Sequence, residues 1–308
     1  MEYNPAPLLL PNRAYADTNP SALILLNRSL HPLPLFKRLW TNAKFHVVAD
    51  GAANWLYDEI PTEEREEFLP TLITGDLDSI TPSVRSYYES QHIPIIANGD
   101  QYSTDFAKAV KQARSLLRGD SVARSAAFHA PPESRTIVVH GSLGGRVDQG
   151  VGVLHELLRE TRVDKSMGVW LVTERCLCWW VGPGRSRIGG LMAMGEKEEE
   201  EDMELKEDGQ ESKRKEDAME DEGDGGKEER IFKRHCGILP ILGKAVISTT
   251  GLEWDVTDWE TEMGGKVSTS NHVVSDEVTI TTDQWVLFSI EIGKGGGVNG
   301  EYAQKQEE

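Results

Sequence analysis

Two aspartates follow a short apolar segment near residue 75. Leu72–Thr74 is predicted to be a buried strand that ends at Gly75, and Asp76 and Asp78 follow it two residues apart. In an open α/β sheet, ligands bind beyond the carboxyl ends of the strands. Two carboxylates there repel each other unless a cation lies between them, and Mg²⁺ favours oxygen ligands together with substrate phosphates. The alternative is a turn in which an aspartate caps the following helix.

Two more aspartates lie at comparable positions. Asp50 follows the predicted strand His46–Ala49, and Gly51 lets the backbone approach a ligand closely. Asp105 falls in the first turn of a predicted helix, where the helix dipole alone also favours a carboxylate. Ser103 or Thr104 is the predicted N-cap of that helix.

Two basic residues are candidates for binding phosphate. Lys108 lies one turn into the helix that begins near Asp105, and it is either a phosphate ligand or an ordinary surface lysine. Arg146 belongs to the Gly-rich turn Gly141–Gln149, whose backbone N–H groups and guanidinium suit an anion. That turn matches neither the P-loop nor the dinucleotide-binding fingerprint, so by itself it is a weak signal.

The elements that must position these residues form two groups. Short apolar segments alternate with helical patterns in the first part of the chain, which predicts a doubly wound, mostly parallel sheet with one cleft. From about Trp179, short β-rich segments separated by Gly and Pro predict a C-terminal antiparallel β-sandwich. The predicted parts are a disordered arm over 1–20, an α/β domain over 21–175, a β-sandwich over 176–292 and a disordered tail over 293–308.

The net charge of −18 is concentrated in one segment of the 308-residue chain. Glu196–Arg230 contains 18 acidic and 7 basic residues, which leaves a net charge of −7 for the remainder. So few apolar residues cannot offset the entropy of ordering, and the segment is predicted to be disordered. It is either a tolerated loop insertion or an interaction tail. No basic patch interleaved with aromatic residues is visible, and we expect no nucleic-acid partner.

The sequence also bears on the compartment. No apolar run has the length of a membrane span, and residues 1–20 resemble neither a signal peptide nor a transit peptide. The three cysteines, at positions 176, 178 and 236, fit a reducing environment. We therefore expect a cytoplasmic protein with no membrane partner.

Six segments together resemble the thiamin pyrophosphokinase family, and its fungal form in particular. They occur in the family's order and cover most of residues 21–190 and 237–292, while the acidic segment and both termini lie outside the resemblance. The six are Ala49–Asn54, Gly75–Ser79, Ser103–Phe106, Gly144–Gln149, Gly251–Val256 and Gly264–Asn271.

The resemblance implies a reaction and an assembly. A pyrophosphoryl group would pass from ATP to the hydroxyethyl oxygen of thiamin in a Mg²⁺-dependent step, giving thiamin diphosphate and AMP. The family also implies an N-terminal α/β domain, a C-terminal β-sandwich and a homodimer with its active sites between the subunits.

The resemblance also assigns residues to this site. The metal ligands would be Asp50, Asp76, Asp78 and Asp105. Asp76, Asp78 and Asp105 would be catalytic, with Asp78 or Asp105 accepting the proton of the thiamin hydroxyl. ATP would be bound by Gln101, Thr104, Lys108 and Arg146. The substrate-binding positions would be Asp148, Gln149, Trp254, Ser268 and Asn271.

Several alternatives stay open at this point. Tyr102 stands where many members of the family carry an acidic residue, which leaves the number of metal ions undecided. From residue type alone, Trp254 would more often belong to a sandwich core, and Ser268–Asn271 would more often form a turn. The rival functions are a related pyrophosphokinase or phosphohydrolase with another acceptor, and a non-catalytic sensor. Retention of all four aspartates disfavours the sensor.

Overall fold

The structure is a computed structural model, and it describes residues 1–10, 20–119, 135–196 and 228–293. Its five α-helices, within those ranges, are α1 (Leu33–Asn42), α2 (Ala52–Glu59), α3 (Pro82–Ser90), α4 (Asp105–Arg118) and α5 (Val147–Val163). A 3-10 helix spans Ala6–Leu8.

Seventeen strands are present in the same ranges. The first seven are β1 (Glu2–Tyr3), β2 (Ser21–Leu25), β3 (Phe45–Ala49), β4 (Leu72–Gly75), β5 (Ile95–Ala97), β6 (Thr136–His140) and β7 (Gly168–Val172). The next five are β8 (Cys176–Val181), β9 (Gly184–Ile188), β10 (Met194–Glu196), β11 (Glu228–Arg230) and β12 (Phe232–Leu239). The last five are β13 (Ala245–Thr250), β14 (Trp259–Thr261), β15 (Ser268–His272), β16 (Val278–Thr282) and β17 (Val286–Ile292).

The predicted doubly wound sheet is confirmed. Strands β7, β6, β2, β3, β4 and β5 lie side by side in that order, and every neighbouring pair is parallel. Alternate residues of β2 enter different cores: Leu23 and Leu25 pack on the side of α1, α2 and α3, while Ala22 and Ile24 pack on the side of α4 and α5. Burial on both faces explains why these strands are continuously apolar.

The antiparallel half continues the same sheet. Beyond β7 the strand order is β8, β17, β12 and β15, and each of these pairs is antiparallel. A five-stranded sheet (β1, β9, β16, β13, β14) covers this half through a shared apolar core that includes Trp179, Phe288 and Ile280. The predicted β-sandwich is therefore confirmed, and position 175/176 falls in the turn where the large sheet changes from parallel to antiparallel.

The prediction of a disordered arm over residues 1–20 is wrong for residues 1–10. β1 pairs in parallel with β9, and Leu9 is fully buried. The Asn42 side-chain amide donates hydrogen bonds to the carbonyl oxygens of Leu8 (2.9 Å) and Leu10 (2.7 Å), which ties the arm to α1. Residues 11–19 lie outside the described part of the chain.

The prediction of disorder over Glu196–Arg230 is wrong at the two ends of that segment. β10 and β11 form an antiparallel pair in which Met194 faces Arg230 and Glu196 faces Glu228. The interior, residues 197–227, lies outside the described ranges, as do residues 294–308 of the predicted tail. Within the described helices, none combines the length and apolar character that a bilayer crossing requires.

Candidate active site

Three carboxylates meet at the carboxyl edge of the parallel strands. Asp50 directly follows β3, Asp76 directly follows β4, and Asp105 is the first residue of α4. Each offers a carboxylate oxygen, and these three oxygens lie within 4.8 Å of one another. We call Asp50, Asp76 and Asp105 the carboxylate triad. Neighbouring parallel strands end at one edge of a sheet, which explains why residues so far apart in sequence come together.

Close approach of the backbone turns makes the triad possible. Gly75 ends β4, and a Cβ atom placed there would lie 2.6 Å from the Cβ of Asp50 and 3.3 Å from Oδ1 of Asp105. Asp50 itself adopts a left-handed backbone conformation, with φ of 42°. The turn after β3 therefore fits only against a residue that lacks a side chain.

Asp50 is the most constrained member of the triad, with an exposed fraction of 3%. Its Oδ2 accepts a hydrogen bond from the backbone N–H of Ser79 (3.2 Å), while Oδ1 is buried and has no partner among the described atoms. Burial raises the pKa of Asp50, and the neighbouring charges of Asp105 and Asp76 add to that rise. A bound cation would remove this penalty, because it favours the ionised carboxyl group.

One ammonium group lies beside the triad. Lys108 is buried, and its Nζ lies 3.1 Å from Oδ1 of Asp105 and 3.9 Å from Oδ2 of Asp76. One positive charge facing three carboxylates leaves the cluster net negative when all three are ionised. The donor set of hard oxygen atoms, with one unpartnered and buried, therefore fits Mg²⁺.

Asp78 lies outside the triad. It is exposed, and its Oδ1 accepts a hydrogen bond from the Ser79 hydroxyl (2.8 Å). Leu77 has a φ of 66°, so the chain turns sharply between the two aspartates of this segment. The role of Asp78 as a metal ligand stays a prediction, and its carboxylate lies on the exposed surface outside the triad.

The segment before α4 carries the predicted cap. Thr104 is the N-cap, and its hydroxyl accepts a hydrogen bond from the backbone N–H of Ala107 (3.2 Å). Gln101 is exposed, and Tyr102 is fully exposed. The Tyr102 side chain therefore takes no part in the carboxylate triad.

The Gly-rich turn lies at the same edge of the sheet, after β6. Arg146 and Asp148 form an exposed ion pair in which Nη2 donates to Oδ2 at 2.5 Å and Nε donates to Oδ1 at 3.1 Å. The hydrogen bonds from Arg146 lower the pKa of Asp148. Gln149 is exposed beside this pair.

A second group of predicted residues lies in the β-sandwich. Trp254 is 54% exposed, so the expectation of a core position does not hold. The buried Asn271 holds the Trp254 loop: its Oδ1 accepts from the Trp254 N–H (3.2 Å), and its Nδ2 donates to the Trp254 carbonyl (3.0 Å). Ser268 and Asn271 lie in β15 and pair with β12, so the alternative of a turn is also wrong.

The two groups are far apart within one chain. Asn271 is in β15 at one edge of the ten-stranded sheet, and Asp50 follows β3, seven strand positions away. At about 4.8 Å between strands, the separation is about 30 Å. A single chain therefore does not bring Trp254 and the triad to the same small molecule.

Two residues of the edge that carries the triad were not predicted from the sequence. Asn27 and Arg28 come after β2, the central strand of the parallel part, and both lie close to the turns described above. The available signal was their position after the short apolar segment Ser21–Leu26, because Asp50 and Asp76 were identified by the same criterion of following an apolar segment.

Comparison with known proteins decides the family. A family model described as the thiamin pyrophosphokinase catalytic domain matches residues 36–171, and one described as the thiamin pyrophosphokinase vitamin B1 binding domain matches residues 224–287. A thiamine pyrophosphokinase of Saccharomyces cerevisiae is 31% identical over 92% of this chain and 88% of that relative. The chain belongs to the thiamin pyrophosphokinase family.

Other members of the thiamin pyrophosphokinase family agree with this assignment. Thiamine pyrophosphokinase 1 of Arabidopsis thaliana is 29% identical over 94% of this chain and 92% of its own. The yeast thiamin pyrophosphokinase structure aligns with a TM-score of 0.67 at 26% identity, covering 95% of this chain and 91% of that one. A Candida albicans thiamin pyrophosphokinase aligns with a TM-score of 0.69 at 23% identity, over 95% and 93% of the two chains, and supports the fold. The predicted family and enzyme class are confirmed.

Proposed function

We propose that this enzyme transfers a pyrophosphoryl group from ATP to the hydroxyethyl oxygen of thiamin, giving thiamin diphosphate and AMP. The observation that carries the proposal is the carboxylate triad, with its unpartnered, buried Asp50 Oδ1, at the edge where α/β sheets bind ligands. Asp50, Asp76 and Asp105 would hold Mg²⁺, which when bound neutralises phosphate charge and orients the phosphate chain for in-line attack.

The residues around the triad would position its carboxylates and accept the proton of the thiamin hydroxyl. Lys108 holds Asp105 and Asp76 in place through its ammonium group. Asp78 is exposed and lies outside the triad, whereas Asp105 belongs to it. Asp78 is therefore the better candidate to accept the proton of the thiamin hydroxyl. If Asp78 is the base, D78N loses turnover while Mg²⁺ still raises its melting temperature. Unchanged turnover in D78N would exclude that role.

Trp254 is the proposed surface for thiamin. Its indole is exposed, is held by Asn271 through the loop backbone, and packs beside the His272 ring at a centroid distance of 4.8 Å. A flat, cationic ligand suits such an indole through stacking and cation–π attraction. The matched vitamin B1 binding domain includes this loop, which supports the proposal.

The separation of about 30 Å between β15 and β3 supports a homodimer in which each site combines two chains. The test is to mix D76N and W254A, each inactive alone. If sites form between subunits, half of the dimers hold one intact site, and about a quarter of wild-type activity returns. No recovery after subunit exchange would refute shared sites.

We also propose a cytoplasmic location. Cys176, Cys178 and Cys236 are all unpaired, as expected in a reducing compartment. Fractionation of cells that express the full chain tests this directly. Recovery of the protein in an oxidising compartment would contradict it.

The reaction itself is tested by AMP release from ATP and Mg²⁺, with and without thiamin, beside D76N. We expect AMP formation that depends on thiamin and is absent from the variant. ADP as product would indicate single phosphoryl transfer. AMP release without thiamin would indicate a hydrolase or another acceptor.

A further inference from the structure

The strand order identifies where a ligand crevice must open. From β2 the chain proceeds through β3, β4 and β5 on one side, and then returns to place β6 and β7 on the other side. The connections after β2 and β6 therefore leave in opposite directions. Such a reversal opens a crevice at the carboxyl ends of the strands, and ligands of open α/β sheets bind there.

Asn27, two residues beyond the end of β2, lies against the turn that carries Asp50. A Cβ atom at Gly51 would lie 2.5 Å from the Asn27 Nδ2. The Asn27 Oδ1 accepts a hydrogen bond from the Trp55 indole N–H (2.9 Å), which fixes this side chain on α2. Asn27 therefore lies on the side of the crevice that carries the triad residue Asp50.

Arg28 faces the other side of the crevice. A Cβ atom at Gly145, in the Gly-rich turn after β6, would lie 3.3 Å from the Arg28 Nη1 and 3.7 Å from its Nη2. Gly145 has a φ of 81°, so both its conformation and its neighbour favour glycine. The half-buried guanidinium thus lies directly on the turn that sequence analysis singled out for anion binding.

The basic residues around the crevice differ in whether a carboxylate neutralises their charge. Lys108 is paired with Asp105 and Asp76, and Arg146 is paired with Asp148. No ion pair or side-chain hydrogen bond within the described ranges involves Arg28. Its donors therefore remain available for a ligand.

We propose that Arg28 binds the phosphate chain of the nucleotide, on the side of the crevice opposite the carboxylate triad. This inference rests on the proposed use of ATP. Mg²⁺ on the triad would offset part of the phosphate charge, and a polyphosphate that extends across the crevice gains further from a positive charge that no carboxylate neutralises. A guanidinium supplies it and can donate two parallel hydrogen bonds to one phosphate group, which an ammonium cannot do.

The test measures nucleotide binding without turnover. The probe is α,β-methylene-ATP with Mg²⁺, in which the bond to be broken is replaced, and adenosine serves as the phosphate-free comparison. The variants are R28Q and R28K. R85Q is the matched control, because Arg85 lies on α3 and its exposed side chain is ion-paired with Glu89.

We expect R28Q to weaken binding of the probe about tenfold, as for the loss of hydrogen bonds to a charged group. R28K should fall between R28Q and wild type, since it keeps the charge and loses the planar fork. Adenosine affinity and the melting temperature without ligand should match those of R85Q. Binding to R28Q should also depend less on salt than binding to wild type.

Wild-type affinity for the probe in R28Q would overturn the inference and leave the proposed function intact. An equal loss of probe and adenosine affinity would show a structural effect, and would also overturn it. Failure of the wild-type protein to bind the probe would overturn the use of ATP and this inference together. The wild-type result therefore tests the proposed function separately from the Arg28 variants.

Discussion

Substitution of Gly75 by alanine isolates the contribution of close backbone approach to the site. The added Cβ would lie 2.6 Å from the Cβ of Asp50, whereas ordinary contacts fall between 3.4 and 4 Å. Gly75 does not have a positive φ, so alanine is compatible with its backbone conformation. The perturbation is therefore steric, and either the Asp50 turn or the end of β4 must move by about 1 Å.

The expected magnitude follows from that displacement. Overpacking of a well-packed region costs about 1–3 kcal/mol. At about 2.1 cal/mol/K of unfolding entropy per residue, a loss of about 2 kcal/mol lowers the melting temperature of a 308-residue protein by about 3 °C. A displacement of about 1 Å in a catalytic group can reduce turnover about a hundredfold, and Mg²⁺ tolerates little distortion of its ligands.

Gly99 provides the matched control. It lies between β5 and α4, does not have a positive φ, and a Cβ there would meet nothing within 4 Å. The assays are thermal unfolding with and without Mg²⁺, and AMP release in the presence of thiamin. G99A should resemble wild type in both. Normal turnover and melting temperature in G75A would refute the claim that the triad depends on this close approach.

Three further predictions concern the buried charge, the N-terminal arm and the acidic segment. Burial raises the pKa of Asp50 in the folded protein above its value in the unfolded chain. Without metal, the free energy of unfolding therefore falls as pH rises through the interval between these two pKa values. D50N should remove that loss, because an amide does not ionise. We expect D50N without metal to melt at or above the wild-type temperature at neutral pH, with no further rise on adding Mg²⁺; a lower melting temperature would contradict this. Leu9 is fully buried, so L9A should reduce the free energy of unfolding by about 2–5 kcal/mol in urea titration, and a change below about 0.5 kcal/mol would show that the arm does not contribute. Replacing residues 197–227 by a short Gly-Ser turn should leave AMP release and melting temperature nearly unchanged, because Glu196 and Glu228 already face each other in the β10–β11 pair; a large loss of either would implicate the segment in the fold.

The amino-acid sequence predicts those parts of the structure that depend on local pattern and on sheet geometry. The predicted strands His46–Ala49 and Leu72–Thr74 lie within one residue of the observed bounds Phe45–Ala49 and Leu72–Gly75, because each is a short apolar segment with a clear end. Thr104 was a predicted cap, since capping depends on residues within one turn. The meeting of Asp50 and Asp76 followed from the rule that parallel strands end at one edge.

The sequence does not predict those parts of the structure that depend on pairing between distant segments. β15 contains Ser, Thr, Ser, Asn and His, a composition typical of turns, and it is a strand because β12 lies beside it. Leu9 is buried because the N-terminal arm packs against residues, including Asn42, that are remote in sequence. The position of Asp78 outside the triad depends on the left-handed conformation of Leu77, which its residue type does not favour.

The continuity of the large sheet has a consequence for folding cooperativity. β7 pairs with β6 on one side and with β8 on the other, so the α/β part and the β-sandwich share a strand ladder. Expression of residues 21–175 alone would leave β7, with the buried Trp170 and Leu171, at an open edge that invites aggregation. We therefore expect the two regions matched by the family models to unfold together as one cooperative unit.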